Sequence, residues 1–136
     1  MHGQRAVVVR GGEPVTLWSG TYEGKLPRVN EWHGAKMVAG HARIFESRIY
    51  RQRKEDLAVS LPKPPVPISQ PVDLIVEVWL WKQTDTDAPI KGVMDALEMA
   101  GIVENDRLIR DITIARADHP RSEPDKLKVT LVAATL

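Results

Sequence analysis

Val72-Asp-Leu-Ile-Val-Glu-Val-Trp-Leu-Trp81 is the stretch from which the rest of the chain is read. Its side chains alternate, with Val72, Leu74, Val76, Val78 and Leu80 on one face and Asp73, Ile75, Glu77, Trp79 and Trp81 on the other. That predicts a strand buried on one side and only partly covered on the other. Immediately beyond it, Ile90, Val93, Met94 and Leu97 recur at helical spacing and predict a helix over 88–100. Asp87 stands where an N-cap belongs, Pro89 lies in the first turn, and Gly101 supplies a stop.

Upstream, β-branched residues predict strands over 5–10 and 15–22, split by Gly11-Gly12-Glu13-Pro14. Residues 23–40 read as one long loop, and 42–59 as a helix with Ile44, Phe45, Ile49, Tyr50 and Leu57 on its apolar side. Five of the ten prolines lie in 61–71, a stiff extended connector. Downstream, 108–116 and 127–134 read as two strands closing in a hairpin. The expected fold class is α/β (α+β mixed): a single mixed β-sheet with two packed helices, in the order ββ-α-β-α-ββ, within one domain over 1–136.

The 136 residues can bury one core. The absence of cysteine excludes disulfides, iron–sulfur clusters, thiolate zinc sites and cysteine nucleophiles. No apolar run approaches the length of a membrane span, and Met-His-Gly-Gln-Arg lacks a signal peptide's apolar core, so a soluble cytoplasmic protein is expected. Net charge is +1, unevenly spread. Residues 1–60 hold ten Lys/Arg and six Asp/Glu, and 61–136 hold nine and twelve. A basic half beside an acidic half suits a protein that meets an anionic polymer with one surface and a cation with another. The four histidines show no zinc-ligand spacing and read as surface residues.

Just past the strand comes Thr84-Asp-Thr-Asp-Ala-Pro-Ile-Lys91. In extended chain Asp85 and Asp87 point the same way. Asp95 is four residues from Lys91 on the same helix face, and Glu104-Asn105-Asp106 brings further carboxylates. Phosphodiester hydrolysis needs phosphate charge neutralised, a water activated and the leaving oxygen stabilised, which Mg²⁺ held by a few carboxylates accomplishes. A nearby lysine can neutralise a phosphate oxygen. Asp-x-Asp by itself is commonly only a cap or solvated turn. The full spacing D-x-D-x3-K-x3-D-A-L-x2-A-G-I-x3-D is more specific.

That pattern resembles the RusA family of Holliday-junction resolvases, endonucleases often carried by phages and prophages. The resemblance runs through Asp85-Thr-Asp87-Ala-Pro-Ile-Lys91, Asp95-Ala-Leu97, Ala100-Gly101-Ile102 and Asp106, and more loosely through Leu26-Pro-Arg-Val-Asn30. It implies a homodimeric endodeoxyribonuclease acting in DNA recombination and repair. Such an enzyme cuts four-way DNA junctions in pairs with Mg²⁺, Mn²⁺ serving as a substitute. It implies Asp85, Asp87 and Asp106 as metal ligands, Lys91 as the catalytic lysine and Asp95 as its support. The chain departs from the family at Ala88, usually Asn, and at Asn105, often acidic. Before the first aspartate it carries one lysine, Lys82, where prominent members carry a basic run. DNA contacts are expected from Lys25, Arg28, Asn30, Trp32 and Lys36 in the loop, from Arg48 and Arg51 on the basic helix, and from Lys82. Two other classes fit the same residues: a branched-DNA-binding protein without nuclease activity, and a small Mg²⁺-dependent phosphatase.

Overall fold

A computed structural model of the chain describes residues 15–28, 33–38 and 41–134, with backbone alone for 33–38 and 41–46. The strand expected at 5–10 lies outside the described residues. In order, the elements are β1 (Thr16–Glu23), β2 (His33–Val38), β3 (His41–Glu46), α1 (Arg48–Ser60), β4 (Val72–Trp81), α2 (Ile90–Met99), a 3₁₀ turn (Asp106–Leu108), β5 (Ile109–His119) and β6 (Lys126–Ala133).

β4 has the expected bounds and faces. Val72, Leu74, Val76, Val78 and Leu80 are buried while the alternate residues are half-buried or exposed. Removing each of the five from water is worth about 2 kcal/mol. They pack under Leu57 and Ala58 of α1 and Val93, Ala96 and Leu97 of α2, so both helices lie on one side of the sheet. The architecture is a mixed α/β fold, with the four-stranded sheet in the order β1-β6-β4-β5. β4–α2–β5 is a parallel unit, and β6 runs antiparallel to both β4 and β1.

Four expectations are corrected. β5 and β6 are not a hairpin, because the strongly apolar β4 lies between them. Residues 23–40 are not one loop, because His33–Val38 pairs with His41–Glu46. The first helix begins at Arg48 rather than 42. Ser47 caps it by accepting a hydrogen bond from the Tyr50 N–H, and the Ile44-Phe45 pair belongs to β3. The β2–β3 pair is a second sheet of its own.

Local chemistry explains the joints. Gly101 adopts φ +72°, the Gly101 N–H donates to the Glu98 carbonyl and the Ile102 N–H to the Leu97 carbonyl, closing α2. At Gly92 the chain after β1 lies directly on α2. A Cβ there would sit 2.3 Å from Pro27 Cγ, so only glycine admits the close approach. The proline connector is tied down rather than loose: Trp18 Nε1 donates to the Pro62 carbonyl, and Ile68 bridges to Val103. No helix among the described residues is long and apolar enough to cross a membrane.

Candidate functional site

The strand ends at Trp81, Thr84 closes a turn onto the Trp81 carbonyl, and two more turns follow. The Ala88 N–H donates to the Asp85 carbonyl and the Ile90 N–H to the Asp87 carbonyl. These turns move the start of the helix from the expected 88 to 90. It starts at Ile90 with Pro89 at its cap and no side-chain capping bond, so Asp87 is not the cap the sequence led us to expect. The Asp85 and Asp87 carboxylates are exposed, with no ion pair or side-chain hydrogen bond among the described residues. Lys82 is exposed on the same loop.

Arg116 of β5, a residue the sequence analysis missed, clamps this loop. Its Nη2 donates to the Trp81 carbonyl at 3.1 Å, and its Nη1 donates to the Thr84 carbonyl and, at 3.0 Å, to Thr86 Oγ1. Its Nε donates to Asp118 at 2.8 Å. A guanidinium is rigid and planar, so three loop acceptors are fixed by one side chain. Only the β4–β5 register brings Arg116 here, opposite Val78. Nothing in the local sequence marks it out from the other arginines.

One turn into α2, Lys91 Nζ lies 3.5 Å from Asp95 Oδ1. Asp95 Oδ2 accepts at 2.8 Å from the hydroxyl of Tyr50, a fully buried residue of α1. Asp95 thus stands between a fixed core hydroxyl and the lysine.

Asp106 is not brought to the pair. Its N–H donates to Glu98 Oε1, at the far end of α2. From Ile90 to Glu98 the helix rises about 12 Å. Among the described residues no three His, Asp or Glu side chains gather closely enough to hold a metal ion. Asn105 accepts from the Arg107 N–H and serves the 3₁₀ turn.

The expected DNA-contacting residues are dispersed. Asn30 and Trp32 lie outside the described residues, as does the side chain of Lys36. Arg48 and Arg51 are exposed on α1, while Lys54 of the same helix is buried over the Tyr50 ring. Arg48 and Lys25 line a cavity of about 520 Å³ between α1 and Tyr22. Lys25 and Arg28 line a second one at the end of the sheet nearest Asp85.

That second region holds a network not foreseen from sequence. Asp125, 7% exposed, pairs with Arg28 Nη2 at 3.1 Å and with His119 Nε2 at 2.6 Å. The His119 side chain is equally buried, which corrects its reading as a surface residue. Its Nδ1 also faces the Pro120 carbonyl at 2.6 Å. Two acceptors require two N–H groups, which only the imidazolium has. The Pro120 carbonyl chiefly raises the pKa above its usual 6.5; burial opposes this and Asp125 adds to it.

No protein-family model matches the chain, and no curated protein is significantly similar to it in sequence.

Proposed function

We propose that the protein is a Mg²⁺-dependent structure-specific endodeoxyribonuclease that resolves four-way DNA junctions, acting as a homodimer. The observation that carries this reading is the pair of exposed carboxylates, Asp85 and Asp87, unpartnered among the described residues, on a loop clamped by Arg116 a few residues before Lys91. Carboxylates left without a cation repel each other, and a loop rigidly held in that state suits an incoming one. The donor set fits Mg²⁺: hard oxygen ligands, open to solvent, one or two from protein with the rest from water and phosphate. When bound there, Mg²⁺ supplies charge neutralisation at the phosphate and activation of a water.

The chain's own groups do the rest. Asp85 and Asp87 hold the cation site, and Arg116 fixes the loop that carries them. Lys91, steadied by Asp95 and Tyr50, faces negative charge developing on the phosphate or leaving oxygen. Asp106 joins this site only from a second copy. β5 is the outer strand of its sheet among the described residues, and Ile112 on it is exposed. Antiparallel pairing of two β5 edges about a two-fold axis sets the start of one β5, with Asp106, beside the end of the other, where Arg116 holds the Asp85–Asp87 loop. A two-fold dimer also matches the symmetry of a four-way junction.

The test is cleavage of an end-labelled synthetic four-way junction with and without Mg²⁺, beside a linear duplex and the Asp87→Asn protein. Paired symmetric cuts confined to the junction, dependent on metal and on Asp87, are expected. Cutting by Asp87→Asn at the wild-type rate would remove the site from consideration. A shifted junction band without cutting would make this a branched-DNA-binding protein.

A further inference from the structure

We propose that the cavity between the Lys25–Arg28 segment and the Arg121–Asp125 loop binds a phosphodiester group of a nucleic-acid strand. The inference deepens the reading above and takes the identity of its ligand from it. The cavity encloses about 400 Å³ at the end of the sheet where β1 and β4 stop and β6 begins. Three cationic groups reach it with donors left over. Among the described residues neither Lys25 nor Arg121 has a carboxylate within ion-pair distance, and the Arg28 Nε–H is buried without a partner. Of the two acids on the lining, Asp125 is already shared by Arg28 and His119, which leaves Glu123 alone against the excess positive charge.

Two of the cations are also held in place. The Arg121 guanidinium lies 5.1 Å from the centroid of the Trp81 ring, an attraction that fixes its position without consuming its donors. Arg28 is anchored by Asp125. Pre-positioned guanidinium groups lose little freedom when they bind a planar or tetrahedral oxyanion, the condition under which phosphate is recognised well. Trp81 also joins this cavity to the candidate catalytic loop, because its carbonyl accepts from Arg116. A strand whose phosphate sits in the cavity lies at the end of β4 from which the Asp85–Asp87 loop leaves.

The experiment is fluorescence anisotropy of an end-labelled four-way junction, without divalent metal, against the wild type, Arg121→Ala, Trp81→Leu and Lys63→Ala. Thermal melts confirm that each is folded. Arg121→Ala is expected to weaken binding roughly tenfold, the worth of one charge-assisted hydrogen bond. It should also make the salt dependence shallower by about 0.9 in log–log slope. Trp81→Leu is expected to weaken binding about threefold with net charge unchanged, an effect diffuse attraction does not produce. Lys63→Ala, which removes an equal charge from the proline connector, should change binding less than about twofold. Wild-type binding by both cavity variants, or an equal loss in Lys63→Ala, overturns the cavity while leaving metal-dependent cleavage by the wild type untouched. A second arm adds inorganic phosphate to melts of the wild type and Arg121→Ala. Stabilisation by phosphate with no affinity for DNA overturns the nucleic-acid assignment and the proposed function together.

Discussion

Asp125 and the Asp85–Asp87 pair lie at the same end of the sheet and are treated oppositely by the fold. Asp125 is buried, and both of its oxygens are engaged, one by His119 and one by Arg28. Asp85 and Asp87 are exposed and unengaged among the described residues, while the backbone and hydroxyl around them are gripped by Arg116. A carboxylate that holds structure together has its charge balanced by its own chain. A carboxylate available for chemistry has its position fixed but its charge left open. Substitutions at the two places should therefore separate cleanly into losses of stability and losses of activity.

The largest effect is expected at Asp125. Asp125→Ala leaves the His119 imidazolium and the half-buried Arg28 guanidinium without their anion and should cost about 3 kcal/mol, a fall of about 10 °C in melting temperature by calorimetry. A fall of under two degrees would erase the contrast. Next, Asp87→Asn should reduce junction cleavage by more than about 100-fold, beyond the usual loss of an outer-sphere partner. Its melting temperature should stay within about a degree of wild type. A strongly destabilised Asp87→Asn protein would show the carboxylate to be structural after all.

Arg116→Lys sharpens the comparison from the other side. It keeps the charge but loses the fork that spans three acceptors, so cleavage should fall roughly tenfold. If the proposed cation site is correct, the loss should be partly restored by raising Mg²⁺, since Arg116→Lys alters the shape of the loop that carries the two aspartates. A loss that no concentration of metal relieves would contradict a positioning role. The smallest effect is the pH dependence carried by His119. Its pKa is raised in the folded state, so its contribution to stability is fully present below the unfolded value near 6.5 and declines as pH rises through the folded value. Melting curves from pH 5.5 to 8.5 should show wild type losing its advantage over His119→Gln as pH increases. Equal curves throughout would mean that the Pro120 and Asp125 contacts do not hold a proton.

Periodicity made some elements readable at once. β4 was legible to the residue because a period of two over ten positions admits no other element of that length. The end of α2 was equally legible, since Gly101 takes the left-handed conformation that the stop requires. Residues 41–46 were misread because Ile44 and Phe45 continue the spacing of Ile49 and Tyr50. Pairing with His33–Val38 decides their conformation, and that partner is seen only in three dimensions. The candidate site divides in the same way. Asp85, Asp87, Lys91 and Asp95 are neighbours along the chain, so their spacing could be read directly. Arg116 reaches the site across the sheet and Tyr50 from another helix.

By itself, then, the sequence determined the one-sided strand at 72–81, the helix behind it and the local grouping of two aspartates with a lysine. Each of these follows from contacts between residues a few positions apart. Only the tertiary structure decided that β4 separates β5 from β6 and that Arg116 holds the aspartate loop. It alone decided, too, that Asp125 is neutralised and that Asp106 lies at the far end of α2. Those outcomes depend on which strand edges and side chains meet after the core has closed, and that choice is made by burial and register over the whole sheet rather than by any local stretch of chain.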